Sequence, residues 1–252
     1  MLPKISIITV TYNCEKVIKK TIDSVLRQTY EHIEHIVVDG ASKDDTFGIV
    51  EQYGDQIAVA ISEPDKGLYD AMNKGLKLAT GDFVWFVNAG DWIHEHDTVE
   101  KMVGFCEKDT DILYGEVMMV AQNGQELGTR SQITTQKLPQ NLNWKSLKMG
   151  MVVSHQGFLP RLSIVQPYMP DNLAADIDWV ISALKKARKT TFTPLILADF
   201  EIGGTSRQHH KQSLKNRYTI LKKHYGFFPN LWNHFFIIGR AIMYKIFGMS
   251  KY

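Results

Sequence analysis

Apolar residues recur along the first hundred positions with two alternating periods. Residues 5–10, 33–38, 57–61 and 83–87 are short, mostly apolar runs rich in β-branched side chains, as expected of strands covered on both faces. Between them, residues 15–27, 44–53 and 67–79 place apolar positions at helical spacing, with Val17, Ile18, Ile22, Val25 and Leu26 forming the clearest stripe. The order β-α-β-α-β-α-β predicts an α/β fold with a mostly parallel, Rossmann-like sheet and helices on both faces. In such sheets ligands gather beyond the C-terminal ends of the strands.

Each predicted strand gives way to a polar stretch. The first run leads into Thr11-Tyr12-Asn13, the second into Asp39 through Asp45, the third into Ser62 through Gly67, and the fourth into Asn88-Ala89-Gly90-Asp91. Singly, each reads as a turn or helix cap, because Asn, Asp, Ser and Gly are what turns and caps use. Together they place several carboxylates on one rim, which repel one another unless a cation or a set of ligand donors lies between them. Neither GxGxxG nor GxxxxGK[ST] is present, so the usual phosphate cradles are missing. An anionic pyrophosphate could instead be held by Mn²⁺ or Mg²⁺ bridging it to a carboxylate, with Asp91 as the anchor and Asn88 as a weaker, neutral neighbour.

Composition changes this picture only at the C-terminus. The 252 residues are 44% apolar and 22% charged, enough to bury a sizeable core. Two cysteines, Cys14 and Cys106, form neither a disulfide framework nor a zinc pattern, which fits a reducing cytosol, and the first residues carry no export signal. Residues 202–252, however, hold nine of the 29 Lys and Arg and none of the 27 Asp and Glu, so residues 1–201 carry a net −7 against +2 overall.

The segments ISIITVTYN (5–13), VVDGASKDDT (37–46), SEPDKGLYDAMNKGLKLATGD (62–82) and FVNAGD (86–91) resemble the family 2 glycosyltransferases of GT-A fold, particularly bacterial enzymes that assemble capsule, O-antigen and exopolysaccharide. The resemblance is strong over the first hundred residues and looser over the next hundred. It implies a GT-A domain over residues 1–201, with a nucleotide-sugar-binding half (1–100) and an acceptor half (101–201), followed by a basic extension (202–252).

Carried over residue by residue, the resemblance implies that Thr11, Tyr12, Asn13 and Asp39 hold the donor nucleoside, Asp39 accepting from a base N–H as uracil would allow. It implies that the segment from Asp65 lines the same pocket, with Asp70, Asn73 and Lys74 facing it. The NAGD segment corresponds to the family's metal-binding Asp-x-Asp region, but Asn88 and Gly90 stand where many members have acids, leaving Asp91 as the sole carboxylate. A base that activates the acceptor hydroxyl in an inverting displacement is expected at Asp176, in NLAADIDWVISALKKA (172–187), where Ala175 replaces the family's Glu. Asp178 reads as helix-dipole charge. His155 and Gln156 fall in the segment leading to the acceptor side.

Past residue 202, Gly203 and Gly204 followed by Arg207, His209 and His210 read as a loop whose donors Arg207 and His209 could close over a diphosphate. The Gln-x-x-Arg-Trp motif of processive synthases is absent, which favours addition of one sugar. Residues 227–249 are apolar and aromatic but interrupted by Asn, His, Arg and Lys, as suits an interfacial helix with Trp232, Phe235, Phe236 and Tyr244 near lipid headgroups. Packing on the core or in a homodimer interface is the alternative. The aromatic residues do not interleave with the basic ones, which argues against a nucleic-acid partner. The expected partners are thus a nucleotide-sugar donor, a lipid-linked or saccharide acceptor and the inner face of the cell membrane. A non-catalytic nucleotide-sugar-binding subunit and a sugar nucleotidyltransferase are the rival functions, the latter lacking its Gly-rich phosphate loop here.

Overall fold

The computed structural model describes residues 2–202 and 210–246, the side chains of 210, 211 and 240–246 excepted, so the expectations for Arg207, His209 and Tyr244 lie outside the described residues. The alternation read from the sequence is present: β1 (Ile5–Thr11), α1 (Ile18–Leu26), β2 (Ile33–Asp39), α2 (Thr46–Glu51), β3 (Val59–Ser62), α3 (Leu68–Leu78) and β4 (Phe83–Phe86). The four strands are parallel in the order β3-β2-β1-β4, with Ile5 opposite both Ile33 and Phe83.

Every residue of β1 and of β4 is buried, which is why these runs are apolar on both faces. On one face Ile8, Ile36, Val84 and Phe86 pack with Ala71 and Met72 of α3; on the other, Val37 packs with Ile18 and Ile22 of α1 and Val50 of α2. Gly75 lets α3 approach closely, since a Cβ there would stand 2.5 Å from Ile8 Cγ2. The predicted third strand starts two residues late. Ile57 is buried in the α1–α2 cluster after a 3-10 turn, and β3, at the sheet edge, alternates between half-buried and exposed positions.

The second half adds β5 (Trp92–Ile93), α4 (Thr98–Val103), β6 (Ile112–Val120), β7 (Glu126–Thr129), α5 (Arg130–Ile133), β8 (Phe158–Pro160), α6 (Ala175–Lys186) and β9 (Thr190–Glu201). Here β6 pairs parallel with β9 and antiparallel with β7 and β8, while β5 runs antiparallel to β9. A bridge between Phe83 and Arg161 brings the β8 segment against β4. Helix α6 is deeply set, with Ile177, Trp179, Val180, Ile181 and Leu184 in the same core as α3.

Two helices follow among the described residues, α7 (His210–Tyr225) and α8 (Phe227–Ile246), separated by Gly226 at φ +87°. Ile220 and Leu221 of α7 are 1% and 0% exposed and belong to the main core, so the charge boundary near residue 201 is not a boundary of packing. Asp178 of α6, itself buried, accepts from Lys223 at 2.9 Å and pairs with His224 at 2.7 Å. That pairing accounts for Asp178 as a structural residue. Among the described residues no helix is long and apolar enough to cross a membrane.

Candidate active site

The strand ends open into a cleft of about 1090 Å³. Its walls include Thr11, Tyr12 and Asn13 after β1, Asp65 before α3, Asn88 and Asp91 after β4, His155 and Gln156 before β8, and Asp176 in the first turn of α6. Nine residues singled out from the sequence therefore share one cavity, although they span 166 positions of the chain.

Asp91 owes its place to the turn that ends β4. Gly90 adopts φ +98°, a conformation that suits glycine, and Thr21 of α1 locks the turn by accepting from the Gly90 amide at 3.1 Å and donating to the Asp91 carbonyl at 2.7 Å. The Asp91 side chain is 6% exposed and accepts from Gln156 Nε2 at 2.8 Å. Desolvation pushes its carboxyl up to about 7; the Gln156 bond opposes that shift, and the nearby Glu201 charge adds to it. Asn88 Oδ1 is buried with no hydrogen-bond partner, and so is Thr11 Oγ1. Buried acceptors left open on a cleft wall mark where a cation or a ligand donor would be bound.

Asp176 comes from far along the chain into the same cavity. Its carboxyl is also raised, by desolvation first, while the Ile177 amide and the Tyr69 phenol hold it down in part. Tyr69 caps a layered aromatic group: its ring stacks on Tyr168 at 5.4 Å, and Tyr168 stacks on Trp179 at 4.9 Å. His155 joins this group through a 2.5 Å hydrogen bond between its Nε2 and the Tyr168 hydroxyl, and burial lowers its pKa to about 4, so the ring is neutral. His155 and Gln156 thus stand on the wall with their side chains engaged by Tyr168 and Asp91.

Four expected donor residues are elsewhere. Asp39 is fully buried; it accepts from the Ser42 amide at 2.9 Å, from the Ser42 hydroxyl and from the Ser62 hydroxyl at 2.6 Å, so it braces the loop after β2, and Gly40 stands on the cleft wall in its place. Asp70 accepts from the Lys66 amide at 3.0 Å, fastening the start of α3. Asn73 faces Tyr168, and Lys74 donates to the Pro64 carbonyl at 2.7 Å and pairs with Glu63 at 2.9 Å. Of α3 it is the start, Leu68, Tyr69, Ala71 and Met72, that reaches the cavity, while Asn73, one turn on from Tyr69 on the same face, is taken up by Tyr168.

Arg130 and Glu201 line the cleft without having been expected there, and Tyr69 does so from the segment after Asp65 without having been singled out. Arg130 donates to the Val152 carbonyl at 3.0 Å and the Met151 carbonyl at 2.5 Å, fixing the wall that leads to His155. Glu201 arrives because β9 runs parallel to β6, pairing Val120 with Glu201 at the cleft end. Among the described residues no group of three or more His, Cys, Asp or Glu could hold a metal by itself. Asp91 and the open Asn88 oxygen nonetheless fit a hard cation that also takes oxygens from a diphosphate.

Comparison with known proteins agrees with this geometry. The model of Glycosyl transferase family 2 matches residues 6–164. A PGL/p-HBAD biosynthesis glycosyltransferase of Mycobacterium bovis is 36% identical over 126 residues, 48% of this chain and 49% of that protein, so the chain spans about half the length of such relatives. Of solved structures, S. aureus TarS 1-349 in complex with UDP-GlcNAc superposes with a TM-score of 0.71 at 22% identity, covering 86% of this chain and 65% of that one. The mannosyltransferase PcManGT from Pyrobaculum calidifontis, in complex with GDP-Man and Mn²⁺, gives 0.62 at 16% identity, covering 98% and 76%. With a parallel strand-end cleft, neighbours of GT-A type and a family match over most of its length, the chain belongs to glycosyl transferase family 2.

Proposed function

We propose that the protein is an inverting glycosyltransferase that moves one sugar from a nucleotide-sugar, UDP-linked on the family resemblance, to a lipid-linked or saccharide acceptor in cell-surface polysaccharide synthesis of the capsule or O-antigen kind, at the inner face of the cell membrane. The observation that carries this reading is that Asp91 and Asp176, both with raised carboxyl pKa values, face one cavity at the strand ends.

The roles follow from the chemistry of each side chain. Tyr12 and Asn13 offer an aromatic face and an amide to a nucleoside. Asp91, with Asn88, would hold Mn²⁺ or Mg²⁺, which neutralises charge on the departing diphosphate. The two raised carboxyls divide the work by position: Asp91 sits under the strand ends, while Asp176 stands at the α6 side, where an acceptor hydroxyl can approach. A carboxylate with a raised pKa is a stronger base, and Asp176 is suited to remove the proton from that hydroxyl as the new bond forms. The Tyr69–Tyr168–Trp179 stack holds the region around this base rigid and excludes water from it.

The test is UDP release from UDP-sugars with Mn²⁺ or Mg²⁺, comparing wild type with Asp176→Asn in the presence of a lipid-linked acceptor. Loss of transfer with retained donor binding supports the reading. Equal turnover removes Asp176 from the reaction, and pyrophosphate formed from UTP and a sugar phosphate would indicate a nucleotidyltransferase instead.

A further inference from the structure

Helix α8 is packed inside out. Asn230 and Asn233 are 0% and 9% exposed, whereas Phe228, Leu231, Trp232, Phe235 and Ile238 are 53–79% exposed. Their spacing of three and four residues puts these five on one broad face. The opposite face is held to α7, where Asn230 Nδ2 donates to the Tyr218 carbonyl at 3.3 Å and His234 meets the Tyr218 ring at 4.8 Å. A helix built only to cover the core would bury its aromatic residues and expose its amides. Contiguous aromatic and aliphatic exposure on this scale marks a surface that is covered in use.

We propose that this face of α8 lies on an anionic lipid surface, parallel to the membrane plane. The charge of the segment favours that occupant: by sequence residues 202–252 carry nine Lys and Arg and no acid, and among the described residues Lys222 is exposed just before the aromatic face begins. A second copy of the chain would bring the same cations against themselves across a two-fold axis, whereas anionic headgroups complement them. Because Lys223 and His224 are bonded to Asp178, two residues after Asp176, the lipid-facing helix is joined through α7 to the helix that carries the proposed base. Docking thus fixes the acceptor side of the cleft relative to the bilayer, which is what a lipid-linked acceptor requires. That last step rests on the proposed function; the docking itself does not.

The experiment is vesicle flotation of the full chain with phosphatidylcholine alone and with phosphatidylcholine mixed with phosphatidylglycerol, at low and high salt, with intrinsic fluorescence recorded for wild type and Trp232→Phe. Flotation with the anionic vesicles, a blue shift lost in Trp232→Phe, and weakening by salt are expected. The variant carrying Phe228→Glu and Phe235→Glu should bind roughly tenfold more weakly or worse, while keeping its melting temperature and its stabilisation by UDP. Failure to float with anionic vesicles overturns the proposal, as does equal flotation with neutral ones. A concentration-dependent dimer in sedimentation, abolished by the same double substitution without lipid binding, would assign the face to a second copy. None of these readouts depends on sugar transfer, so failure here and failure of the enzymatic reading are separable.

Discussion

Asn73 and Tyr168 hold each other by two hydrogen bonds, Asn73 Nδ2 donating to the Tyr168 carbonyl at 2.9 Å and the Tyr168 amide donating to Asn73 Oδ1 at 2.7 Å. Helix α3 is thereby tied to the segment ahead of α6, and Tyr69, one turn earlier, is set on top of Tyr168. An Asn73→Ala chain should lose about 2 kcal/mol of stability, since two backbone groups lose their partner, and melt about 5 °C lower. UDP affinity, read by calorimetry at a temperature where the variant is folded, should stay within about twofold of wild type. A large loss of UDP affinity at unchanged melting temperature would restore Asn73 to the donor site.

The proposed base gives a pH signature. The Asp176 carboxyl is raised by desolvation and partly lowered by the Tyr69 phenol, so kcat/KM should climb with pH through a limb above the ordinary carboxylate range. Tyr69→Phe removes a group that favours the charged form and should move that limb to still higher pH. Asp176→Asn should lower kcat by on the order of 10²- to 10⁴-fold. An acidic limb that does not move in Tyr69→Phe would separate the phenol from the base.

Asn88 offers a test of the cation site. Its Oδ1 is buried without a partner beside Asp91. Asn88→Asp adds a second carboxylate there and should tighten Mn²⁺ binding in the absence of nucleotide, because the desolvated Asp91, raised to about 7, supplies only part of a charge near neutral pH. Titration with Mn²⁺ monitored by electron paramagnetic resonance checks this. Unchanged Mn²⁺ affinity would place the cation elsewhere.

Two neighbours on β2 set the response to acid. Burial lowers the pKa of His35 to about 3, whereas the unfolded chain titrates near 6.5. Between those values the unfolded state binds a proton that the folded state refuses, so stability present above pH 6.5 is lost as pH falls, by ~2 kcal/mol between pH 7 and pH 5. Glu34, bonded to Lys4, Ser6 and Thr80 and lowered to about 2, adds a second loss below pH 4.5. Urea midpoints at pH 7 and pH 5 should converge in His35→Gln, and Glu34→Gln should flatten only the more acidic part.

How far the site was legible in the sequence depended on where each residue stood along its element. Asp91 was legible because it lies in the turn where a buried apolar strand comes to an end. Asp176, in the first turn of α6, was expected on the family resemblance of its segment and not on the apolar period. The partners of Asn73 and Lys74 were not legible, because Tyr168 is 95 positions away from Asn73, and Lys74 is held by the Pro64 carbonyl and Glu63 through the bend before α3. Tyr69 lies in the helical stretch 67–79 with no local mark of its role, and only the Tyr168 and Trp179 rings beneath it reveal that it tops a stack at the cleft. Glu201 and Arg130 depend on which strand lies beside which, and the pairing of β9 with β6 leaves no local trace in the sequence. Asp39 was placed on the right loop, but the two serines that occupy it come from positions 42 and 62, one of them on another strand.

The burial of Ile220 and Leu221 in the core beneath α6 has a consequence for how the molecule is made. A growing chain emerges from the ribosome beginning at its N-terminus, and the parallel sheet with its strand-end loops is complete long before these two side chains appear. The helix bearing Asp176 cannot finish packing until they arrive. A ribosome halted near residue 202 should therefore display a sheet that already recognises nucleotide and yet transfers nothing.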